Sequence, residues 1–405
     1  MFLARATSEP EMGAPAARLG QAAFLTLRLV DLLLPGQSGT APDVFLYQAS
    51  ATERYAREMD LDSPEKAHLL AVIKGARDAF TVEQTTIAVP ALFAYGHYLE
   101  ETSHYEEALD VLRALVDLGR EKLATRDAIA TTLRVARVLR KLARFDEAYA
   151  SYEEAGSLAL VSGDVYSELL SRLGRVTILW NRGNLAEAEV GYRQLIDDAH
   201  AAGQPDAEAR ALDGLASTLG LRGRAAEAIP YAWRAFELYE DRSARVRVLI
   251  AMGIMLRDLG DLDAAERALR ASLAQGNGTE HSENAVLELM ECASQRGDRF
   301  GYARWRDEAR RRESRFMPSM RVDFFLKQGV AEGRFGSPGR AEEHLNTALE
   351  IAQKFKLHEY VFRLEGLKQN LRESDRLQPV EPAEVVNSES LDAVRASLRE
   401  LVAVD

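Results

Sequence analysis

Apolar and polar residues follow one another along most of the chain with the spacing of amphipathic helices, and the helical segments come in pairs. The stretch 175–202 shows the pattern most clearly. An apolar segment that ends at Trp180 is followed by the breaker sequence Asn181-Arg182-Gly183-Asn184 and then by a second apolar segment, 185–195. Two helical periods separated by a short polar break predict two antiparallel helices joined by a tight turn.

The pattern returns at intervals of about forty residues, and each copy has one position at which its two helices would cross most closely. These crossing positions are Ala108, Ala148, Ala188, Ala228, Ala265, Tyr302 and Ala341. All but Tyr302 are small, so the copy around Tyr302 is the most divergent. Self-similarity of this kind predicts stacked helix pairs, each of which buries its apolar face against its neighbours.

The repeat resembles the tetratricopeptide repeat. That family has a small residue in the middle of its first helix and an alanine late in its second helix. The first is matched by Gly96, Ala136, Gly253 and Gly329, and the second by Ala155, Ala235 and Ala348. The period is longer than the family's usual value of about 34 residues and resembles the variants in kinesin light chains, peptide-sensing bacterial regulators and large transcriptional activators. The resemblance covers about residues 85–355 and implies an all-α, right-handed superhelical solenoid of stacked antiparallel helix pairs.

The ends of the chain depart from the repeat, as the ends of a solenoid must if they are to cover its apolar faces. The expected organisation is a loose leader at 1–13, an N-terminal helical cap with a degenerate repeat at 14–84, a solenoid of about seven repeats at 85–372, a linker at 373–387 and an amphipathic helix at 388–405.

Two terminal segments have alternative interpretations. The apolar run 22–34 could be a signal peptide, a membrane helix or a buried helix. It is interrupted by Arg28 and Asp31 and is shorter than the ~20 residues of a membrane span, so a buried helix ending at Pro35 is expected. The C-terminal helix has apolar residues at helical spacing and either folds back onto the end of the solenoid or docks elsewhere. These residues are Leu391, Val394, Leu398, Leu401 and Val402. The helix could also pair between chains, although a monomer is favoured.

The composition argues against several classes of function. The formal net charge of -12 argues against general nucleic-acid binding, which needs a net basic face. The single cysteine, Cys292, excludes an internal disulfide framework and thiolate metal clusters. Together with the lack of a recognisable secretion signal, it predicts a cytoplasmic protein.

No group of residues forms a convincing catalytic or cofactor site. His97 and Glu101 would share a helix face as some metal ligands do, but nothing completes the set. Cys292 has no histidine and carboxylate with a sequence reason to approach it, so packing is the expected role. The loop 276–279 lacks the lysine and strand context of a phosphate-binding loop. We therefore predict no catalytic residue, no cofactor and no metal.

The resemblance does imply a partner site. In tetratricopeptide arrays the first helices line the concave side, and fixed offsets from the mid-helix small residue face it. The candidate partner-binding residues are Arg137, Arg140, Lys141, Thr177, Trp180, Asn181, Arg210, Asp213, Ser217 and Arg257. Arg137 and Lys141 would repel each other unless nearby acids or a ligand offset them, which favours an acidic or carboxylate-ended peptide. The alternative is a set of solvated charges with Trp180 packed between helices.

A secondary basic patch lies in the divergent sixth repeat. It consists of Arg304, Arg306, Arg310, Arg311, Arg312 and Arg315. Arginine forks bind carboxylate and phosphate groups, so this patch is a second candidate docking site for an acidic partner. The alternative is a solvated helix face whose charges pair with neighbouring acids.

Three functional hypotheses follow. The leading one is a non-enzymatic scaffold that binds a peptide or a helix of a partner protein in its concave groove. The second is a regulatory sensor similar to the bacterial peptide receptors, in which a ligand controls partner binding. Direct DNA binding is disfavoured because residues 1–84 contain no obvious basic recognition helix. An enzyme is the third hypothesis and has no supporting motif.

Overall fold

The computed structural model describes residues 2, 14–34, 41–59, 63–119, 123–276, 281–374 and 388–403. Most of the predicted leader, the Asn277-Gly278-Thr279 loop and residues 375–387 of the predicted linker lie outside these ranges. All regular structure in the described ranges is helical. The chain divides into two compact units, Met1–Gly183 and Asn184–Asp405.

The first unit contains these α-helices in its described part: α1 Ala14–Asp31, α2 Pro42–Glu58, α3 Pro64–Val82, α4 Val89–Glu101, α5 Tyr105–Gly119, α6 Thr125–Lys141, α7 Phe145–Ser162 and α8 Val165–Asn181. A short 3₁₀ helix, Thr85–Ala88, precedes α4.

The second unit contains, in its described part, α9 Leu185–Ala201, α10 Pro205–Leu221, α11 Ala225–Leu238, α12 Arg242–Asp258, α13 Leu262–Gly276, α14 His281–Gln295, α15 Arg299–Arg312, α16 Pro318–Arg334, α17 Pro338–Lys354, α18 His358–Ser374 and α19 Glu389–Ala403. A 3₁₀ turn, Glu313–Arg315, follows α15.

Local sequence sets where several helices begin. The side chains of Asp164, Asp241 and Asp298 accept hydrogen bonds from backbone N–H groups of the first turns of α8, α12 and α15, at 3.1, 2.7 and 2.9 Å. These bonds satisfy donors that have no partner inside the helix. Proline stands in the first turn of α3, α10, α16 and α17, where its missing N–H costs nothing.

From α4 to α17 the helices alternate between the first and second helix of a repeat, which we call A helices (even numbers) and B helices (odd numbers). The next helix, α18, is counted with the A helices. In the first unit α4 packs on α5 and α6 on α7; in the second, α10, α12, α14 and α16 pack on the helices that follow them. The crossing positions predicted from the sequence all lie on B helices and are at most 3% exposed. The predicted all-α fold of antiparallel helix pairs and its register are therefore confirmed.

The turns within the repeats share one backbone conformation. Each contains a residue with a left-handed φ angle between 57° and 80°: Ser103, Ala143, Gly183, Gly223, Gly260, Gly297 and Gly336. At Ala143, for example, the N–H of the next residue, Arg144, donates to the Leu139 carbonyl at 2.9 Å and closes the end of α6. Glycine adopts this conformation without strain, whereas Ser103 and Ala143 do so at a cost.

The N-terminal cap differs from its prediction in its first helix. We expected a helix over the apolar run 22–34, but α1 begins at Ala14 and ends at Asp31. Residues 32–34 form a turn instead. Pro35 comes next in the sequence, and a proline disfavours the helical conformation of the residue before it. α1 packs against α2, α3 and α5. Among the described residues, no helix is long and apolar enough to cross a membrane.

The C-terminal helix packs in an unexpected place. Of the two alternatives, folding back onto the end of the solenoid is wrong, because α19 contacts α11 and α13. Leu391, Val394 and Leu398 are at most 3% exposed, and Arg395 Nε lies 2.6 Å from Asp261 Oδ2. The physical reason is that this apolar row needs an apolar surface, which α13 offers and which the mostly polar exposed face of α18 does not.

Candidate functional site

The predicted partner-binding residues all lie on A helices. Those on α6 and α8 belong to the first unit: Arg137, Arg140, Lys141, Thr177, Trp180 and Asn181. Those on α10 and α12 belong to the second: Arg210, Asp213, Ser217 and Arg257. Each group has its own surroundings.

In the first unit a buried carboxylate changes the electrostatics of the predicted groove. Glu100 on α4 has a side chain only 1% exposed, and it pairs with Arg134 at 3.0 Å and with Arg137 Nε. Of the two ways to offset the repulsion between Arg137 and Lys141, a nearby acid or a ligand, the structure shows a nearby acid for Arg137. The sequence did not show the pair because Glu100 and Arg137 are 37 positions apart, on successive A helices.

The two other predicted cations of α6 have neutral partners. Arg140 Nη1 donates to Asn181 Oδ1 at 3.1 Å, and Lys141 Nζ lies 4.9 Å from the centre of the Tyr105 ring. Trp180 is half-buried, and its indole Nε1 is shielded from solvent and has no hydrogen-bond partner among the described residues. We call the surface formed by Arg140, Lys141, Trp180 and Asn181 the α6–α8 patch. It combines two positive charges, a side-chain amide and an aromatic ring.

Three of the four predicted residues of the second unit form ion pairs. Arg210 Nε is 2.7 Å from Asp206 on its own helix, and Asp213 is 2.7 Å from Arg247 on α12. Ser217 is half-buried on α10. Arg257 pairs with Glu288 on α14. Charged contacts between successive A helices therefore occur in both units.

Beside Arg257 the A helices of the second unit enclose a polar cavity of about 410 Å³. It is lined from α12, α14, α16 and α18 by Arg257, Glu288, Glu291, Asp323, Leu326, Lys327, Val330, Arg334, Tyr360, Arg363 and Leu367. We call it the α12–α18 cavity. Its volume falls in the range of about 300–1,000 Å³ that is typical of ligand sites.

Four of the charged side chains in this cavity, Lys327, Glu288, Arg334 and Glu291, form ion pairs and are about nine-tenths buried. Lys327 Nζ lies 3.1 Å from Glu288 and also contacts Asp323, and Arg334 Nη1 lies 2.7 Å from Glu291. Burial opposes the charged form of Lys327, but Glu288 and Asp323 outweigh it and raise the pKa of Lys327. Burial likewise opposes the charged form of Glu291, yet Arg334 outweighs it and lowers the pKa of Glu291. Lys327 and Glu291 therefore both stay charged at neutral pH.

Most of the cavity was not predicted. Of its lining residues only Arg257 belongs to the predicted set. The repeat offset could have identified one more lining residue, Arg334. It stands five residues after Gly329, and Lys141 stands at the same offset after Ala136. Glu288 and Lys327 carry no comparable signal, because their importance comes from pairing across helices.

Four of the six arginines of the secondary basic patch pair with carboxylates in the structure. Arg306 pairs with Asp307 at 2.8 Å, and Arg312 pairs with Glu308 at 2.7 Å. Arg311 also pairs with Glu308, and Arg315 is 3.7 Å from Glu283. Arg304 lies 4.9 Å from the centre of the Trp305 ring. The ion pairs are those expected of a solvated face, and docking of an acidic partner at this patch stays a prediction.

The weaker chemical candidates can also be placed. Cys292 is buried on α14, and burial raises the pKa of its thiol to about 12, so it packs as the sequence suggested. His97 Nδ1 lies 3.4 Å from Glu101 on the same helix. In the part of the chain that the structure describes, no group of three or more His, Cys, Asp or Glu residues could hold a metal ion.

Comparisons with known proteins agree with this architecture. A sequence model of the tetratricopeptide repeat family matches residues 209–241, which span most of α10 and all of α11. The apo form of RapI is similar in structure, with 10% identity, a TM-score of 0.53 and coverage of 84% of this chain and 98% of that one. A search of curated proteins gave no match.

Two further solved structures have similar folds. The Rap conjugation gene regulator of the plasmid pLS20, in complex with the Phr* peptide, has 10% identity, a TM-score of 0.52 and coverage of 91% of this chain and 98% of its own. Aspartyl phosphate phosphatase F from Bacillus subtilis has 12% identity, a TM-score of 0.51 and coverage of 85% and 95%. The protein is a tetratricopeptide-like repeat protein, an all-α assembly of stacked helix pairs.

Proposed function

We propose that this protein is a non-enzymatic interaction scaffold that binds a peptide or a helix of a partner protein on its A-helix face. One observation carries the proposal. In the second unit four A helices, α12, α14, α16 and α18, together line a polar cavity of about 410 Å³ whose charged groups are held in place by buried partners. Fixed polar groups orient a ligand without the entropy loss of ordering them first.

The α6–α8 patch of the first unit supports the same function. Arg140 and Lys141 have neutral partners, so an acidic side chain or a terminal carboxylate would add a charge-assisted hydrogen bond. Asn181 can bind a peptide backbone, and Trp180 offers aromatic surface beside it. We propose that an acidic segment of the partner binds this patch. The proposed setting is the cytoplasm, with the protein a monomer.

A regulatory sensor is the second candidate. It is favoured by the similar fold of the pLS20 regulator, whose structure contains the Phr* peptide. In a sensor, a peptide ligand would bind one conformation of the helix array better than another and would shift the population towards it. Small-angle scattering would distinguish the two functions, since a sensor should change its radius of gyration with ligand whereas a rigid scaffold should not.

The test begins with affinity capture of partners by the parent chain, followed by titration of the captured protein against variants. Arg140→Ala/Lys141→Ala should weaken binding about tenfold or more, because a hydrogen bond to a charged group contributes about 1.5–3 kcal/mol and a tenfold change in affinity corresponds to about 1.4 kcal/mol. Arg137 is left unchanged, since its loss would leave the Glu100 carboxylate buried with one partner fewer.

Two controls make the result specific. Arg113→Ala/Arg234→Ala removes two exposed cations from the B helices α5 and α11 and should leave binding unchanged. Arg310→Glu/Arg311→Glu tests the secondary basic patch. Loss of binding in that variant alone, with the α6–α8 patch variant unaffected, would show that the partner docks on the sixth repeat instead.

A further inference from the structure

One cation in the lining of the α12–α18 cavity has no partner within the described part of the chain. Ion pairs with carboxylates of the same lining hold Arg257, Lys327 and Arg334. Arg363 on α18 lines the cavity as well, but it is exposed and makes no ion pair or hydrogen bond with any residue that the structure describes. Among the described lining residues, four cations thus face three carboxylates. One positive charge is left for a ligand.

The repeat explains why Arg363 lacks a partner. Arg247 on α12 and Arg363 on α18 each stand directly before the first of two buried apolar residues that are seven positions apart. These are Val248 and Met255 on α12, and Leu364 and Leu371 on α18. The two arginines therefore occupy equivalent positions on their helices. Arg247 lies 2.7 Å from Asp213 on α10, the preceding A helix.

The residue equivalent to Asp213 on the A helix before α18 is apolar. Asp213 stands two residues after the buried Ala211. Leu326 on α16 likewise stands two residues after the buried Phe324. Leu326 lines the cavity together with Arg363 but offers no hydrogen-bond acceptor. The carboxylate that the chain supplies on α10 is thus missing on α16, and a ligand carboxylate can take its place beside Arg363.

The neighbours of Arg363 suit a carboxylate that is attached to an apolar group. Tyr360 lies one turn before Arg363 and also lines the cavity. Its hydroxyl has no hydrogen-bond partner among the described residues, and burial raises the pKa of Tyr360, so the hydroxyl stays protonated and can donate. A guanidinium and a hydroxyl can together bind the two oxygens of one carboxylate. Leu326, Val330 and Leu367 form the apolar part of the lining.

A buried carboxylate oxygen favours a peptide over a phosphate as the ligand. Glu291 Oε1 accepts hydrogen bonds from Gln295 and Arg334, at 3.1 and 2.7 Å. Glu291 Oε2 is shielded from solvent and has no donor among the described residues, although buried polar atoms nearly always have one. A peptide brings N–H groups. A phosphate brings a larger negative charge, which the three carboxylates of the lining would repel.

We propose that Arg363 and Tyr360 bind a carboxylate of the partner segment, and that Leu326, Val330 and Leu367 contact an apolar group beside it. The ligand is a segment of the partner, so the inference rests on the proposed function. It goes further in naming the group that enters the α12–α18 cavity and the residues that select it. The carboxylate comes either from an acidic side chain or from the end of the partner chain, and the experiment has an arm for each source.

The probes are three libraries of N-acetylated hexapeptides that are otherwise built from neutral residues. The first has a free C-terminal carboxylate, the second has an amidated end and one Asp or Glu, and the third has an amidated end and no acid. The full-length protein carries Arg140→Ala/Lys141→Ala, which prevents acidic peptides from binding through the α6–α8 patch. Mass spectrometry of the peptides retained on the immobilised protein gives the ratio of acidic to neutral peptides. At least one acidic library should exceed the neutral one about tenfold.

Variants at Arg363 show whether this arginine sets the ratio. Its side chain is exposed, so its replacement removes little core packing. Arg363→Met should lower the acidic-to-neutral ratio about tenfold, and Arg363→Glu should lower it further by repulsion. Tyr360→Phe should have a smaller effect in the same direction. Arg399→Met is the matched control, because it removes an exposed arginine of α19 outside the cavity lining and should leave the ratio unchanged.

The outcomes separate this inference from the proposed function. Preference for the first library assigns the carboxylate to the chain end, and preference for the second assigns it to an acidic side chain. Equal retention of all three libraries would overturn the inference and leave the scaffold function standing, as would an acidic preference that survives Arg363→Met. Retention of no library would contradict both. Stronger retention of a matching phosphoserine library than of either acidic library would assign the site to phosphate and overturn the inference.

Discussion

The ring of Tyr152 on α7 fills the space that any side chain at Gly174 on α8 would need. A Cβ atom built on Gly174 would overlap the ring atoms Cε1 and Cζ. Tyr192 and Gly214 repeat the relationship on α9 and α10. Where the B helix carries leucine instead, as at Leu112, the nearby glycine lies on the A helix of the same repeat. A tyrosine at this position of the B helix thus faces a glycine on the next A helix, whereas a leucine faces a glycine on the A helix of its own repeat.

Gly174→Ala should therefore lower the free energy of unfolding by about 1–3 kcal/mol, the usual cost of overpacking a core. Urea unfolding followed by circular dichroism measures the change. Adding Tyr152→Leu should reduce the penalty of the alanine, because the ring is what it overlaps. Gly339→Ala is the control, since a Cβ at Gly339 meets nothing within 4 Å. Equal effects at Gly174 and Gly339 would contradict this packing.

Ala143→Gly should stabilise the protein. Ala143 has a φ angle of 57°, a left-handed conformation that costs an L-residue about 1–2 kcal/mol and glycine little. Part of this gain is lost to the greater entropy of glycine in the unfolded chain, so a net gain of about 0.5–1 kcal/mol is expected. The mirror experiment is Gly223→Ala, at 75° with open space around it, which should destabilise by a similar amount. The prediction fails if the two changes have the same sign.

Arg334→Met should destabilise strongly, by about 3–5 kcal/mol, because it leaves Glu291 buried without its closest cation. The double variant Arg334→Met/Glu291→Met should recover most of this loss, since no unpaired charge remains. A double-mutant cycle by urea unfolding measures the coupling between the two residues. Additive effects would show that the pair contributes nothing beyond its separate side chains.

Stability should fall with acid partly through Glu291. Burial opposes its charged form but Arg334 lowers its pKa in the folded state below the ordinary value of 4.5. A depressed carboxyl pKa stabilises the folded state fully above the unfolded-state value, and that stabilisation is lost as the pH falls through the folded-state value. The free energy of unfolding should therefore decrease less steeply below pH 4.5 in Glu291→Gln than in the parent.

The crossing residues show how much of the fold could be predicted. Ala148 and Ala228 were placed by periodicity alone, and both are completely buried on B helices. The spacing of apolar residues within a helix is a local property of the sequence, so its repetition is enough to locate the crossing residues. The candidate site was less predictable. Arg257 was identified by its offset in the repeat, whereas its partner Glu288 was not, because no local rule connects residues 31 positions apart.

The sequence by itself determined the all-α architecture, the period of the repeat and the positions at which paired helices cross. Each follows from apolar residues that recur at helical spacing and from turn residues between them. The tertiary structure decided which charges are neutralised, as Arg137 is by Glu100, and where the C-terminal helix lies. Arg395 and Asp261 are 134 positions apart, and they meet because α13 offers an apolar surface that covers the apolar row of α19. Burial of that row depends on surfaces brought together by folding, which the order of residues along one helix does not show.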